Sequence, residues 1–166
     1  MIRPATPNDA LAIATIHVRA WQSAYNGVFP PEFLERLSIE HRTEFWQREL
    51  SEDRSIVLVA EKEGSVAGWI SGGYSRDADA LGVSEVYAVY VQPALWRHGI
   101  GRQLMGSIEK CFPAVTDVTL WVLDKNRRAI DFYQKLGYEF DGAKKSDRIA
   151  DANFVEVRFR KKRPNK

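Results

Sequence analysis

The chain has 166 residues, of which 45% are hydrophobic and 28% are charged, which is ordinary for one compact soluble domain and short for two. Its 24 basic and 22 acidic residues leave a net charge of +2, so no global electrostatic field favours nucleic acid as a partner. The stretch MIRPATPNDA is not a signal peptide and no apolar run is long enough for a membrane span, so we expect a cytoplasmic protein with no membrane partner.

The first 50 residues predict one short strand and two helical regions. The stretch IRPA reads as a strand. A helix follows it, with Thr6 as its cap and Gly27 at its end. A second helical region runs from Pro31 to about Leu50, and Ser38 caps its later part.

The middle of the chain predicts three strands and a helix. The stretch SIVLVAEKEGSVAGWISGGY contains two β-rich runs around the turn at residues 62–65, which is typical of a hairpin. The stretch SEVYAVYV is a further strand that ends before Pro93. In the helix after it, apolar residues recur every fourth position from Ile100 to Phe112, and Pro113 ends the pattern.

The last third predicts a buried strand, a short helix and two more strands. The stretch DVTLWVL is apolar on both faces, as a central strand should be. The stretch NRRAIDFYQKLGY is a helix closed by Gly137, and YEFDG and NFVEVRFR are strands. The order β-α-α-β-β-β-α-β-α-β-β predicts an α/β domain with a mixed sheet.

Histidine and cysteine show no pattern of metal binding. His17, His41 and His98 have no ligand-like spacing, and one cysteine excludes an internal disulfide or a cysteine-based metal site. Cys111 stands near Ile108 and Phe112, so we interpret it as a small core residue rather than a nucleophile. We predict no metal site.

Two glycines stand where the helix at residues 100–112 begins, in the stretch LWRHGIGRQLM. A helix N-terminus carries unpaired N–H groups and a partial positive charge. The absence of side chains at Gly99 and Gly101 lets a phosphate reach those amides, and Arg97 and Arg102 add charge on either side. The motif predicts a pyrophosphate site; the alternative is a tight strand-to-helix turn. Leu104 breaks the dinucleotide motif G-x-G-x-x-G, and no P-loop motif occurs.

At this loop the chain resembles the GCN5-related N-acetyltransferases (GNAT), in which R/Q-x-x-G-x-G/A holds the pyrophosphate of acetyl-CoA. The stretch EVYAVYVQP resembles the family's central strand, and WVLDKNRRAIDFYQKLGYE resembles its second half. The resemblance covers about residues 2–160. It implies one acetyltransferase domain over residues 1–160, with a mostly antiparallel central sheet flanked by helices, followed by a basic C-terminal tail at 161–166.

The resemblance also implies acetyl-CoA as cosubstrate, with no metal. The implied cofactor-binding residues are Val89, Tyr90 and Val91 through the main chain, the loop residues Arg97, His98, Gly99, Ile100, Gly101 and Arg102, and Asn126. Trp96 stands where the family usually has Arg or Gln. The first side-chain contact to phosphate is therefore missing, and Arg97 is a candidate to replace it.

Tyr133 falls on the family position that meets the departing thiolate. A phenol with a pKa near ~10 is a weaker acid than a thiol near ~8.5, so we expect a hydrogen bond to the thiolate rather than full proton transfer. The alternative is a core residue, because Tyr133 shares a helical face with Ala129 and Leu136.

The resemblance places a carboxylate base at Glu85, either directly or through a water chain. Strict strand alternation puts Glu85 on one face with Tyr87, Val89 and Val91. The alternative is a solvated glutamate at the end of a strand. His98 belongs to the phosphate loop and is not expected to be the base.

For the acceptor, the family position of the first helix implies Trp21 and Tyr25, together with Phe29, as an aromatic wall; the alternative is ordinary helix-to-sheet core. Asp77, Asp79 and Asp151 could attract a cationic acceptor or simply be solvated.

We expect an enzyme that transfers the acetyl group of acetyl-CoA to a primary amine of a small molecule, or of a protein or peptide. The alternatives are a non-catalytic acetyl-CoA-binding or sensing module, and nucleic-acid binding through the basic tail FRKKRPNK, which otherwise is a solvated terminus. A homodimer remains open.

Overall fold

The computed structural model describes residues 1–114, 116–149 and 152–163. One seven-stranded sheet runs through the described part, with strand order β1-β2-β3-β4-β5-β7-β6. The strands are β1 (Ile2–Pro4), β2 (Ile56–Lys62), β3 (Ser65–Tyr74), β4 (Ser84–Val91), β5 (Val118–Leu123), β6 (Glu139–Ile149) and β7 (Ala152–Lys161). The helices are α1 (Ala10–Ala24), α2 (Pro31–Glu35), α3 (Ile39–Glu52), α4 (Ile100–Cys111) and α5 (Arg127–Gln134). Among the described strands, β4 and β5 are the only pair that runs parallel, so the predicted mixed, mostly antiparallel sheet is confirmed.

The second helical region differs from its prediction because it contains two helices. Helix α2 ends at Glu35, and α3 begins at Ile39. Ser38 caps α3, as predicted, because its Oγ accepts a hydrogen bond from the His41 amide at 3.1 Å. The observed order is therefore β-α-α-α-β-β-β-α-β-α-β-β.

The final hairpin is longer than the sequence pattern indicates. Strand β6 runs on to Ile149, seven residues past the predicted end at Gly142. Its pairing with β7 shifts register between Phe140 and Lys144, where Gly142 has a φ of 97°. The polar stretch after this bulge lacks alternating hydrophobicity, so its strand character comes from pairing with β7.

Both faces of the sheet are covered. On one face, α4 packs on Leu58, Ile70 and Val86 in a buried cluster that also includes Tyr133 and Tyr138. On the other face, α1 and α3 pack on Val57, Val59 and Trp69. The alternation of Val57, Leu58 and Val59 between the two clusters is the period-two pattern of a strand that is buried on both sides.

Strands β4 and β5 part soon after they meet. They pair at three positions only, from Ser84–Val118 to Val86–Leu120. At the same level β4 contains a bulge: Val86 pairs with Gly72 and Ala88 with Ser71, which leaves Tyr87 unpaired. Beyond the bulge, the edge of β4 that faces β5 has no strand partner, and the sheet opens.

This bulge also overturns the predicted face of Glu85. Val86 packs in the same cluster as Val89 and Val91, which strict alternation does not allow. Glu85 therefore lies on the opposite face, which carries Ala88 and Tyr90, and the prediction that it faces the same way as Val89 and Val91 is wrong. The extra residue inverts the side-chain parity of the strand.

The C-terminal residues that the structure describes belong to the folded body. Lys161 ends β7, and its Nζ lies 2.8 Å from Glu109 Oε2. Arg163 donates from its amide to Asp117 and from its guanidinium to the carbonyl oxygens of Pro113 and Glu109. The body thus reaches Arg163, three residues past the predicted boundary. Residues 164–166 of the predicted tail lie outside the described residues.

Two further points concern the described helices. Cys111, the last residue of α4, is exposed, so its prediction as a core residue is wrong: the apolar stripe of α4 turns Ile108 inward and leaves Cys111 outside. No helix in the described ranges has the length and apolar character needed to cross a membrane.

Candidate active site

A cleft of ≈ 780 Å³ opens where β4 and β5 part. Some lining residues, such as Val89 and Phe132, pack in the cluster on the α4 face, whereas Ala88 and Tyr25 pack in clusters on the other face. The cleft therefore passes through the sheet and has one end on each face. We call the two ends the basic end (Arg97, Gly99, Ile100, Gly101, Arg102, Arg128 and Lys135) and the aromatic end (Trp21, Tyr25, Phe29, Tyr90 and Phe154).

The main chain at the basic end is shaped to receive an anion. Arg97 and Gly99 have φ values of 67° and 82°, while His98 between them is not in the left-handed region. Backbone of alternating handedness turns successive N–H groups toward one side. Gly99 is the N-cap of α4 and supplies no side-chain cap, so the first amides of α4 are left without intrahelical acceptors. A Cβ at Gly101 would lie 3.2 Å from the Phe132 ring.

Four cationic side chains line the same cleft as these amides: Arg97, Arg102, Arg128 and Lys135. Within the described residues none of the four forms an ion pair with a carboxylate. The charge of Arg97 adds to burial in lowering the pKa of Arg128, which indicates that the guanidinium groups repel one another. Unpaired cations around a helix N-terminus favour a multiply charged anion.

Trp96 stands where the family that the sequence resembles usually has Arg or Gln. Its side chain turns away from the amides at the start of α4. Its indole Nε1 donates to the carbonyl oxygen of Val91 at 2.8 Å, and the guanidinium of Arg128 stacks over its ring at 3.4 Å. Trp96 thereby fixes the end of β4 and holds an arginine at the mouth of the cleft. Arg128, on α5, is thus a second guanidinium at this end of the cleft, together with Arg97.

Tyr133 lies between the two ends, on α5. Its ring packs in the cluster on the α4 face, and its hydroxyl has no hydrogen-bond partner among the described residues. Burial raises the pKa of Tyr133, and Tyr90 and Tyr25 add smaller contributions. The hydroxyl therefore keeps its proton and is free to donate a hydrogen bond into the cleft.

Asn126 connects the two ends. Its side-chain oxygen caps α5 by accepting from the Ala129 amide at 3.1 Å, and its Nδ2 donates to the Tyr25 hydroxyl at 3.3 Å. Both groups line the cleft. The amide thus holds the start of α5 against the end of α1.

The aromatic end is a network of contacting rings. Trp21 stacks on Phe29 with ring centroids 5.8 Å apart and donates from Nε1 to the Tyr90 hydroxyl at 2.8 Å. His17 stacks on Tyr90 at 4.7 Å. Burial lowers the pKa of His17 to about 3, so the imidazole beneath Tyr90 is neutral at physiological pH.

Comparison with known proteins agrees with this geometry. The sequence profile of the Acetyltransferase (GNAT) family matches residues 17–138. The chain belongs to this family. Its curated relatives include the uncharacterized N-acetyltransferase YuaI of Bacillus subtilis (strain 168), 28% identical over 156 residues that span 92% of this chain and 83% of the relative.

Solved structures of GNAT proteins share the fold. The ribosomal-protein-alanine N-acetyltransferase of Brucella melitensis is 26% identical, with a TM-score of 0.74 over 97% of this chain and 98% of that one. YncA, a putative acetyltransferase from Salmonella typhimurium solved with its cofactor acetyl-CoA, is 21% identical, with a TM-score of 0.71 over 100% and 95% of the two chains.

The GNAT residues predicted from sequence converge on the cleft with two exceptions. The lining includes Trp21, Tyr25, Val89, Tyr90, Val91, Arg97, Gly99, Ile100, Gly101, Arg102, Asn126 and Tyr133. His98 is exposed outside the cleft, where its Nδ1 contacts the Trp96 carbonyl at 2.9 Å.

Glu85, the second exception, is 1% exposed and does not line the cleft. Its carboxylate accepts from the Arg76 amide at 2.9 Å and from the Arg76 guanidinium at 2.6 Å. Glu85 lies on the face opposite Val89 and Val91, where it forms this ion pair with Arg76. We assign Glu85 no part in the chemistry.

The acidic residues that were candidates to attract a cationic acceptor already form ion pairs where the structure describes them. Asp77 and Asp79 both pair with the buried Arg158, at 3.0 and 2.7 Å. Asp151 lies outside the described residues.

Sequence reasoning missed four charged residues of the cleft, Arg128, Asp131, Lys135 and Glu156. Arg128 stands two residues after Asn126, inside the stretch that carries the resemblance, but nothing in the spacing indicates that it stacks on Trp96. Glu156 lies on β7, and its place depends on pairing with β5 and β6. No local pattern signals it.

Proposed function

We propose that the protein transfers the acetyl group of acetyl-CoA to a primary amine of a small molecule or a polypeptide. One observation carries this proposal: a cleft that passes through the sheet has bare amides at one end, with four cations that have no carboxylate partner among the described residues, and an aromatic chamber at the other end. Such a passage lets two substrates enter from opposite faces and meet at the split between β4 and β5.

The residues of the basic end fit the phosphates of acetyl-CoA. The amides of α4 and the side chains of Arg97, Arg102 and Arg128 would bind the pyrophosphate and the remaining phosphate. The edge of β4 from Val89 to Val91, which pairs with no described strand, offers main-chain groups to the amides of the pantetheine arm. The Val91 carbonyl oxygen on this edge also accepts from Trp96 Nε1. Asn126 closes the opposite wall of the cleft.

When bound, acetyl-CoA supplies a thioester: the amine nitrogen takes the acetyl group, and of the two protons that an ammonium gives up, one ends on the CoA sulfur and the other in solvent. Tyr133 donates a hydrogen bond at the sulfur position, where negative charge develops. Because burial raises the pKa of Tyr133, its proton stays on the phenol oxygen and the group stabilises charge without giving up the proton.

Calorimetric titration with acetyl-CoA, followed by an amine panel read as free CoA thiol, tests the proposal. We expect binding and amine-dependent release of thiol. Binding without release for any amine would instead indicate a non-catalytic acetyl-CoA-binding module. Absence of binding would contradict the assignment of the basic end.

A further inference from the structure

Two carboxylates line the cleft in the described part of the chain, Asp131 and Glu156. Asp131 lies on α5 between Arg128 and Lys135, within the basic end. Glu156 lies on β7, two residues after Phe154, and strand alternation puts both on the face that carries the aromatic end. Glu156 is therefore the carboxylate at the aromatic end.

The other acidic side chains near this face already have strong partners. Arg158 binds Asp77, Asp79 and Asp141 at 3.0, 2.7 and 2.8 Å, and Glu85 is held by Arg76. Glu156 takes part in neither network. Glu156, Tyr25 and Tyr90 line the same cleft, and burial, together with the charge of Glu156, raises the pKa values of both phenols.

The present partner of Glu156 is an exposed lysine. Lys145 Nζ lies 3.2 Å from Glu156 Oε2, and the two side chains are 47% and 26% exposed. The same ammonium stands 4.3 Å from the centroid of the Trp121 ring. A partly exposed pair of this kind contributes at most about 1 kcal/mol, so another ammonium can replace Lys145.

Lys145 thus shows the chemistry that the position accepts: an ammonium between a carboxylate and an aromatic face. The rings of Tyr25, Phe29 and Phe154 extend this surface, with Phe29 and Phe154 in edge contact at 5.8 Å. Flat apolar groups pack well against such rings.

We propose that Glu156 binds the ammonium of the acceptor in competition with Lys145, and that the aromatic end selects an amine carried on a flat apolar group. An arylalkylamine and a polypeptide with an aromatic N-terminal residue present this same chemistry. The inference rests on the proposed function, because it assigns the aromatic end to the acceptor.

Two substitutions with opposite expected effects test the competition. In Glu156→Gln the charged partner of the ammonium is lost, and KM for phenethylamine should rise about tenfold to a hundredfold. In Lys145→Gln the competitor is lost, and KM should fall a few-fold. Glu139→Gln, an exposed glutamate on β6 outside the cleft, is the matched control and should leave KM unchanged. All variants should keep the acetyl-CoA affinity of the original chain, and Glu156→Gln and Lys145→Gln should lower the thermal midpoint by no more than about 2–4 °C, because both lose the same partly exposed pair.

The choice of amines tests the aromatic part. Phenethylamine should have a KM at least tenfold below that of n-butylamine, and equal values would overturn the selection of flat groups. A peptide with N-terminal phenylalanine distinguishes the source: the lower KM of the peptide or of the free amine identifies which one the site serves.

Direct binding separates this inference from the proposed function. Phenethylamine is titrated into protein saturated with CoA, so no turnover is needed. Weaker binding to Glu156→Gln supports the inference even if no amine is acetylated, a result that would contradict the proposed function alone. Equal binding and equal KM in Glu156→Gln and the original chain would overturn the inference and leave the proposed function standing.

Discussion

The two ends of the cleft are built in opposite ways. The basic end uses the loop before α4 and its main-chain amides, with glycine where a side chain would obstruct. Cations from this loop, α4 and α5 line this end of the cleft, and none has a carboxylate partner among the described residues. The aromatic end uses side chains from α1, β4 and β7 that pack on one another. Main-chain amides recognise the same phosphate whatever the neighbouring side chains are, whereas a wall of side chains changes with each substitution. One end is therefore suited to a constant ligand and the other to a variable one.

The largest expected effect comes from blocking the basic end. In Gly101→Asp a carboxylate takes the place of the anion, and its Cβ meets the Phe132 ring at 3.2 Å. We expect acetyl-CoA affinity to fall more than about a hundredfold by calorimetry.

Gly106→Asp is the control for that change. Gly106 lies on the same helix, and no atom stands within 4 Å of its added Cβ. Its affinity for acetyl-CoA should match that of the original chain. If both variants bound acetyl-CoA normally, the basic end would not be a phosphate site.

Removing the Tyr133 hydroxyl tests the point where the ends meet. Tyr133→Phe keeps the packed ring, so we expect little change in acetyl-CoA affinity. A hydrogen bond to a charged group contributes about 1.5–3 kcal/mol, so the single-turnover rate should fall about tenfold to a hundredfold. An unchanged rate would make Tyr133 a core residue.

Tyr138→Phe is a matched control for Tyr133→Phe. Tyr138 is fully buried next to Tyr133, but its hydroxyl donates to Glu109 at 2.8 Å, outside the cleft. The substitution should lower stability by about 1–3 kcal/mol, because Glu109 Oε1 loses its donor while Lys161 still pairs with Oε2, and should leave the chemical rate intact.

A smaller effect is expected from the arginine that α5 contributes. Arg128→Gln should weaken acetyl-CoA binding about tenfold, the lower part of the range for a charged hydrogen bond at an exposed site. The adjacent Arg127 is exposed and does not line the cleft, so Arg127→Gln should have no effect in the same titration. Equal losses in the two variants would show that only overall charge matters.

The smallest effect is expected from truncating the C-terminal residues, which lie far from both ends of the cleft. A chain ending at Arg160 loses the Lys161–Glu109 pair and the contacts of Arg163. We expect a loss of about 1 kcal/mol, or about 2–4 °C in the thermal midpoint, with unchanged affinity for acetyl-CoA. A chain ending at Arg163 should melt like the full chain, and a loss of cofactor affinity in either would contradict the separation of this region from the cleft.

The same contrast explains what the sequence could predict. Gly99 and Gly101 are one residue apart at a helix start, so their purpose follows from local chemistry. The aromatic end depends on contacts such as Trp21–Tyr90 and Tyr25–Asn126, which join residues 69 and 101 positions apart. Trp21 and Tyr25 were placed there through the family resemblance, and local spacing alone does not distinguish a wall from a core.

The positions of Glu85 and Glu156 escape prediction for a related reason. The predicted face of Glu85 is wrong because one unpaired residue, Tyr87, reverses the alternation that the prediction assumes. Glu156 was missed because the register of β6 on β7, including its bulge, decides what stands beside it. Register between distant strands depends on the assembled sheet and leaves no periodic signal in one strand.

The bulge at Tyr87 determines which side chains of β4 face α4. Upstream of it, even-numbered positions such as Val86 face α4; downstream, odd-numbered positions such as Val89 do. Deleting Tyr87 would remove the extra residue and leave Val86, Val89 and Tyr90 on their present faces. Pairing Tyr87 in regular alternation would instead exchange the surroundings of Val89 and Tyr90 and leave the Trp21 indole without its phenol. Chimaeras that join this strand to that of a relative should therefore align the two strands by the face of each side chain rather than by residue count, because an offset of one residue would turn the whole half-strand inside out.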